Sequence, residues 1–159
     1  MGLLLIEQAF NGLQFGVMLF LIAAGLTLVF GIMDLVNLSH GSLVMVGAYL
    51  ATTLIEWTGS FILGILLALP STFLVGVVVE IVVLRTLYER DHLDQVLATF
   101  GLILFFNELI RIVWGPASLY SGLPESISGH VEILPGVPYP AFRLLIILVG
   151  LLVALLIYF

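Results

Sequence analysis

The sequence has no cysteine and no lysine, and its 159 residues carry only four basic side chains against ten acids. The missing cysteine excludes a disulfide framework and a thiolate metal site. Charge of either sign is scarce, at 9% of residues, where a soluble domain carries roughly 25%. With a mean hydropathy of +1.32, too little polar surface remains to cover a water-soluble globule. No basic stripe follows the chain, which argues against a nucleic-acid partner. Residues 1–8 hold no Arg, so the N-terminus lacks the charged region of a signal peptide. Phosphate-loop, Gly-x-Ser-x-Gly and His-Glu-x-x-His patterns are all absent, so the sequence offers no catalytic residues, no metal site and no cofactor.

What is present is apolar length. A spanning helix needs about 20 mostly apolar residues, and five stretches come close: 9–32, 37–55, 61–84, 93–114 and 141–159. Apolar residues run consecutively through 144–157, whereas a barrel strand alternates. Helices also pair their backbone groups within one segment, as lipid demands. The expected fold is all-α and polytopic, with about five transmembrane helices and a broken or re-entrant second segment.

The connections differ in character. Arg85 and Arg90 share one charged connection, which the positive-inside rule places in the cytoplasm. The N-terminus and residues 115–140 then lie outside, with Arg143 arguing the other way. That 115–140 stretch holds five of the six prolines and reads as a stiffened extracytoplasmic loop, either functional or a plain connector. The chain stops at Tyr158-Phe159 while still apolar, which reads as a truncated protein.

Few polar residues interrupt the apolar runs. Asn37, Ser39, His40, Gly41 and Ser42 cluster at the start of the second segment. Asn37 and Ser39 are capping residues, and Gly41 permits a turn or close approach. The cluster is either a helix break facing a polar cavity or a capped helix start at the membrane surface. His40 is a proton shuttle, a ligand or a hydrogen-bonded structural residue. Glu80 lies near the end of the third segment, where an acid seeks a partner or the interface. Arg85 is five residues on, outside a regular i,i+4 pair. Glu108 and Arg111 share a helix face with Asn107 and can form an ion pair, either as an interfacial anchor or at an external mouth. Gly12 with Gly16, and Gly47 with Ala51, are steps that let helices approach. Pro70 is expected to kink the third segment.

Four stretches together carry a family resemblance. They are Ala24-Gly25-Leu26-Thr27-Leu28-Val29-Phe30-Gly31; Asn37-Leu38-Ser39-His40-Gly41 through Gly47-Ala48-Tyr49; Glu80 with Arg85; and Leu97-Ala98-Thr99-Phe100-Gly101 through Asn107-Glu108-Leu109. Over roughly residues 10–115 the chain resembles the permease subunits of branched-chain amino acid (LIV-type) ABC importers, covering their N-terminal half or so. Ile81 and Thr86 depart from the family, which often has Arg and Pro there. The resemblance implies a permease that translocates branched-chain or related hydrophobic amino acids across the cytoplasmic membrane of a bacterium or archaeon. It further implies a second homologous permease, two cytoplasmic ATPase subunits that hydrolyse ATP, and a periplasmic or surface binding protein. Relatives that import urea or short amides are the alternative, and a non-transporting membrane scaffold is another. A zwitterionic amino acid needs a polar lining, which makes the break at Asn37, Ser39, His40, Gly41 and Ser42 the candidate substrate pathway. Glu80, Arg85, Asn107, Glu108 and Arg111 are the structural or coupling candidates.

Overall fold

The computed structural model describes residues 2–117, 119, 122–134 and 137–158. In chain order these form α1 (Gly2–Met33), α2 (His40–Thr58), α3 (Phe61–Val82), a 3₁₀ turn (Leu84–Leu87) and α4 (His92–Trp114). A short α5 (Glu125–Ser128), strands β1 (His130–Leu134) and β2 (Val137–Pro140), and α6 (Ala141–Tyr158) follow. Two compact units result, one from Met1–Gly25 and Leu123–Phe159, the other from Leu26–Gly122. α1 contributes to both.

Helix ends follow local chemistry. α1 stops at Asp34, which adopts a left-handed backbone with φ of 50° while its N–H still bonds Phe30 C=O at 2.9 Å. Glycine normally fills this position, because a Cβ is disfavoured there. At the end of α2, Gly59 does fill it, with φ of 64°. Ser60 then caps α3 by accepting the Leu63 N–H. α3 stays helical through Pro70.

Three helices are long and apolar enough to cross a membrane, over Leu4–Ile32, Phe61–Val82 and His92–Trp114. At most 22% of their apolar windows is buried by the protein itself. Leu66, Leu69, Phe73 and Leu74 of α3 are examples left exposed. Exposed apolar surface on that scale needs lipid or protein to cover it. α6 is equally apolar but shorter, and α2 is diluted by His40, Ser42, Thr52, Thr53 and Glu56.

Within Leu26–Gly122, α2 lies along α3 and also meets α4. The core there joins Leu35, Val46, Val79, Leu84, Leu87, Phe106 and Ile110. Gly64 sets the α2–α3 spacing, since a Cβ on it would overlap Ile55. Of the small-residue steps read from sequence, Gly47 sits against Thr72, with 3.1 Å to an added Cβ, whereas Gly12 and Gly16 have open space. Tyr49, midway along α2, meets Trp114 with ring centroids 5.4 Å apart and planes tilted by 51°, and the Trp114 Nε1–H donates to Thr53 Oγ1 at 2.7 Å.

In the other unit, the Pro-rich stretch is more ordered than a plain loop. β1 and β2 pair antiparallel, Val131 opposite Tyr139, with an irregularity between Glu132 and Leu134. Both strands are edges, so Pro138 and Pro140 interrupt no neighbouring ladder. Pro135 and Phe159 lie outside the described residues. Tyr139 is fully buried and packs on Phe10, while Arg143 donates to Asn11 Oδ1 at 2.6 Å.

Candidate functional site

The polar cluster around position 40 begins in the connection 34–39, before α2. Leu35 anchors this connection in the core, and Asn37 and Ser39 are both buried. Asn37 Oδ1 accepts from the Ser39 N–H at 3.0 Å and from the Ser39 hydroxyl at 2.6 Å. The expectation that these residues cap the helix through their side chains is corrected: Ser39 occupies the N-cap position but makes no side-chain cap bond. Its hydroxyl proton is directed at Asn37 instead, so the pair forms a local polar turn of the kind Asn favours.

Two residues that sequence reasoning missed hold this connection. Gln95 and Thr99 of α4 are 2% and 0% exposed. The Val36 N–H donates to Gln95 Oε1 at 3.1 Å. Gln95 Nε2 donates to Leu87 C=O and Arg90 C=O, both at 3.2 Å. Thr99 donates to its own helix at Gln95 C=O, 2.7 Å away, and its hydroxyl oxygen lies 3.4 Å from Val36 C=O. The available signal was their spacing: two polar residues four apart share one face of an otherwise apolar helix. The ends of α1, α2, α3 and α4 therefore meet around one set of hydrogen bonds.

Glu80 and Arg85 also come together at this end. Arg85 Nε and Nη2 donate to the two carboxylate oxygens of Glu80, each at 3.2 Å. The i,i+4 rule, which set Arg85 apart, is overturned by the backbone. α3 ends at Val82 and the chain turns into the 3₁₀ segment, so the angular spacing of a continuous α-helix does not hold between Glu80 and Arg85. The Tyr88 hydroxyl donates to Glu80 Oε1 at 3.1 Å. Partial burial holds the Tyr88 phenol above its ordinary pKa, the Glu80 hydrogen bond and charge add to this, and Arg85 opposes it.

A groove of about 380 Å³ gathers three of the sequence candidates: Asn37, His40 and Glu80 line it. Its remaining wall includes Val29, Leu43, Phe73, Val77 and Leu84. Ser42 is buried and Gly41 exposed, with open space where a Cβ would stand. Asn107, Glu108 and Arg111 are exposed near the far end of α4 and do not line the groove. Among the described residues, Glu80–Arg85 is an ion pair and Glu108–Arg111 is not. Spacing permits the latter contact, but an exposed pair gains little for fixing two long side chains.

Long apolar helices with their sides uncovered, and polar residues gathered at one bundle end, define a predominantly helical, multi-pass membrane protein. The chain belongs to the family of branched-chain amino acid transport system permease components, whose sequence pattern matches residues 8–159. It is 31% identical over 116 residues to the high-affinity branched-chain amino acid transport system permease protein BraD of Pseudomonas aeruginosa, covering 67% of this chain and 38% of that one. It is 27% identical over 141 residues to the corresponding permease protein LivH of Escherichia coli, covering 80% of this chain and 45% of that one. The chain thus spans less than half the length of these curated relatives. No solved structure matches it significantly.

Proposed function

We propose that this chain forms part of the solute pathway of an ATP-driven importer that carries branched-chain or related hydrophobic amino acids across the cytoplasmic membrane. Family membership supports the permease role, and the names of the relatives support the substrate class. The observation that carries the reading is the groove, in which an amide, an imidazole and a carboxylate from Asn37, His40 and Glu80 adjoin an apolar wall. Such a lining suits a solute with a charged head and a branched apolar tail, because binding sites place a few polar groups in an apolar cleft.

In this reading the membrane spans are about 9–32, 37–55, 61–84, 93–114 and 141–159. Residues 33–36 and 85–92 face the cytoplasm and 115–140 faces outward. A second homologous permease completes the pathway, two cytoplasmic ATPase subunits hydrolyse the ATP, and a periplasmic or surface binding protein delivers the solute. Energy from the ATPases shifts the population between inward- and outward-open states, by binding one state better than the other.

The test is uptake of labelled leucine and labelled urea in a deletion strain complemented with the gene, all other subunits present. Restored leucine uptake with no change in urea is expected. Restored urea uptake alone would move the substrate class to small amides, and restoration of neither would refute a transport role.

A further inference from the structure

Gln95 makes four side-chain polar contacts at this end of the bundle. Its amide offers two N–H donors and an acceptor oxygen, and every one of these is engaged. The oxygen takes the Val36 N–H at 3.1 Å, and His92 Nδ1 stands 3.3 Å from the same atom. The nitrogen serves Leu87 and Arg90. A buried amide is costly unless fully paired, so an apolar residue would serve simple packing as well. What an apolar residue cannot do is join two backbone segments, at Val36 and at Leu87–Arg90, that the chain places on either side of α2–α3.

The segments it joins carry the two polar walls of the groove. Val36 precedes Asn37, which lines the groove and leads into His40. Leu87 and Arg90 flank Tyr88, which, with Arg85, holds the Glu80 carboxylate. We propose that Gln95 is a positioning residue that makes the connection 34–39 and the turn 84–91 move as one body, so that Asn37 and Glu80 keep their spacing while the helices shift. This rests on the transport reading above. Without the link, a displacement of 84–91 would carry Glu80 and leave Asn37 behind, and the groove would lose its geometry during part of each cycle.

The variants separate the two halves of the link. Gln95→Leu removes both. Gln95→Glu keeps an acceptor for Val36 but sets a carboxylate against the Leu87 and Arg90 carbonyls. Gly101→Ala lies on the same helix, away from the link and with open space at its Cβ position, and serves as the control. The assembled transporter is reconstituted in proteoliposomes, and uptake is divided by ATP hydrolysed, a ratio that loss of folded protein alone does not move. Both Gln95 variants should lower uptake per ATP by at least about fivefold, the low end of couplings between sites, while Gly101→Ala should leave it unchanged.

Hydrogen exchange on the same samples supplies an arm independent of transport. In Gln95→Glu, amides of 84–91 should exchange faster, and those of 34–39 should follow as the link loosens. An unchanged ratio for both Gln95 variants would overturn the proposal, as would acceleration confined to one segment. Should the unmodified transporter carry none of the tested solutes, the transport reading fails by itself, and joint acceleration of the two segments alone decides whether Gln95 links them.

Discussion

Arg85 grips both carboxylate oxygens of Glu80 across the break between α3 and the 3₁₀ turn, with Tyr88 as a third partner on the same carboxylate. The arrangement folds the charged connection back over the end of α3. It leaves the Arg85 side chain 61% exposed and that of Glu80 26%, so its contribution is positional more than energetic; exposed pairs contribute about 0.2–1 kcal/mol.

The Tyr88 phenol should therefore titrate at higher pH than free tyrosine. Its raised pKa means the neutral form is favoured in the fold. The stabilising contribution is complete below the unfolded tyrosine value and is lost as pH rises through the folded one. Ultraviolet difference titration against Tyr88→Phe measures the midpoint. Glu80→Gln should bring it part of the way back, because the charge goes and an acceptor stays. An unshifted midpoint in the unmodified protein would contradict the contact.

Asn37→Leu should destabilise the fold by about 1–3 kcal/mol, the cost of leaving buried polar groups on Ser39 unpaired. Asn37→Asp keeps the accepting oxygen and should retain most of the stability. Gly41→Ala should cost no stability, since nothing lies within 4 Å of its Cβ position. Thermal unfolding in detergent compares the three, and equal melting points for Asn37→Leu and the unmodified protein would show that the turn is dispensable.

Gly64 and Gly101 should respond to alanine with opposite signs. A Cβ at Gly64 meets Ile55 backbone, and at Gly101 it meets open space. Gly64→Ala should cost about 1–3 kcal/mol through forced separation of α2 and α3. Gly101→Ala should gain about 0.5–1 kcal/mol from helix propensity alone. The same unfolding assay reads both.

Trp114 and Thr53 should couple in a double-mutant cycle. Trp114→Phe keeps an aromatic partner for Tyr49 but loses the indole donor to Thr53. With Thr53→Val as the second arm, a coupling of about 1 kcal/mol is expected for one hydrogen bond. Additive effects would mean that the bond does not form in the membrane.

The absence of native cysteine makes single-cysteine topology mapping clean. Leu38→Cys, half exposed in the connection, should react with a membrane-impermeant maleimide only from the cytoplasmic side. Trp57→Cys, exposed at the other end of α2, should react only from outside. Labelling of both from one side would reverse or break the proposed topology.

Of the site, the sequence exposed the residue types and little of their geometry. Asn37, His40 and Glu80 stood out as polar breaks in apolar runs, and the structure brings them to one groove. Gln95 passed unnoticed, because a glutamine near a helix start has the profile of a solvated residue until Val36, Leu87 and Arg90 surround it. Glu80 and Arg85 were separated by a rule valid only inside a continuous helix, and α3 ends between them.

The sequence by itself determined that this is a helical membrane protein of the permease family. Transfer of apolar side chains to lipid adds up along the chain, so long runs can be read without knowing what they touch. Only the tertiary structure decided which polar groups satisfy one another at the helix ends. A hydrogen bond requires two groups within about 3 Å, and here the partners come from segments that the sequence keeps dozens of residues apart.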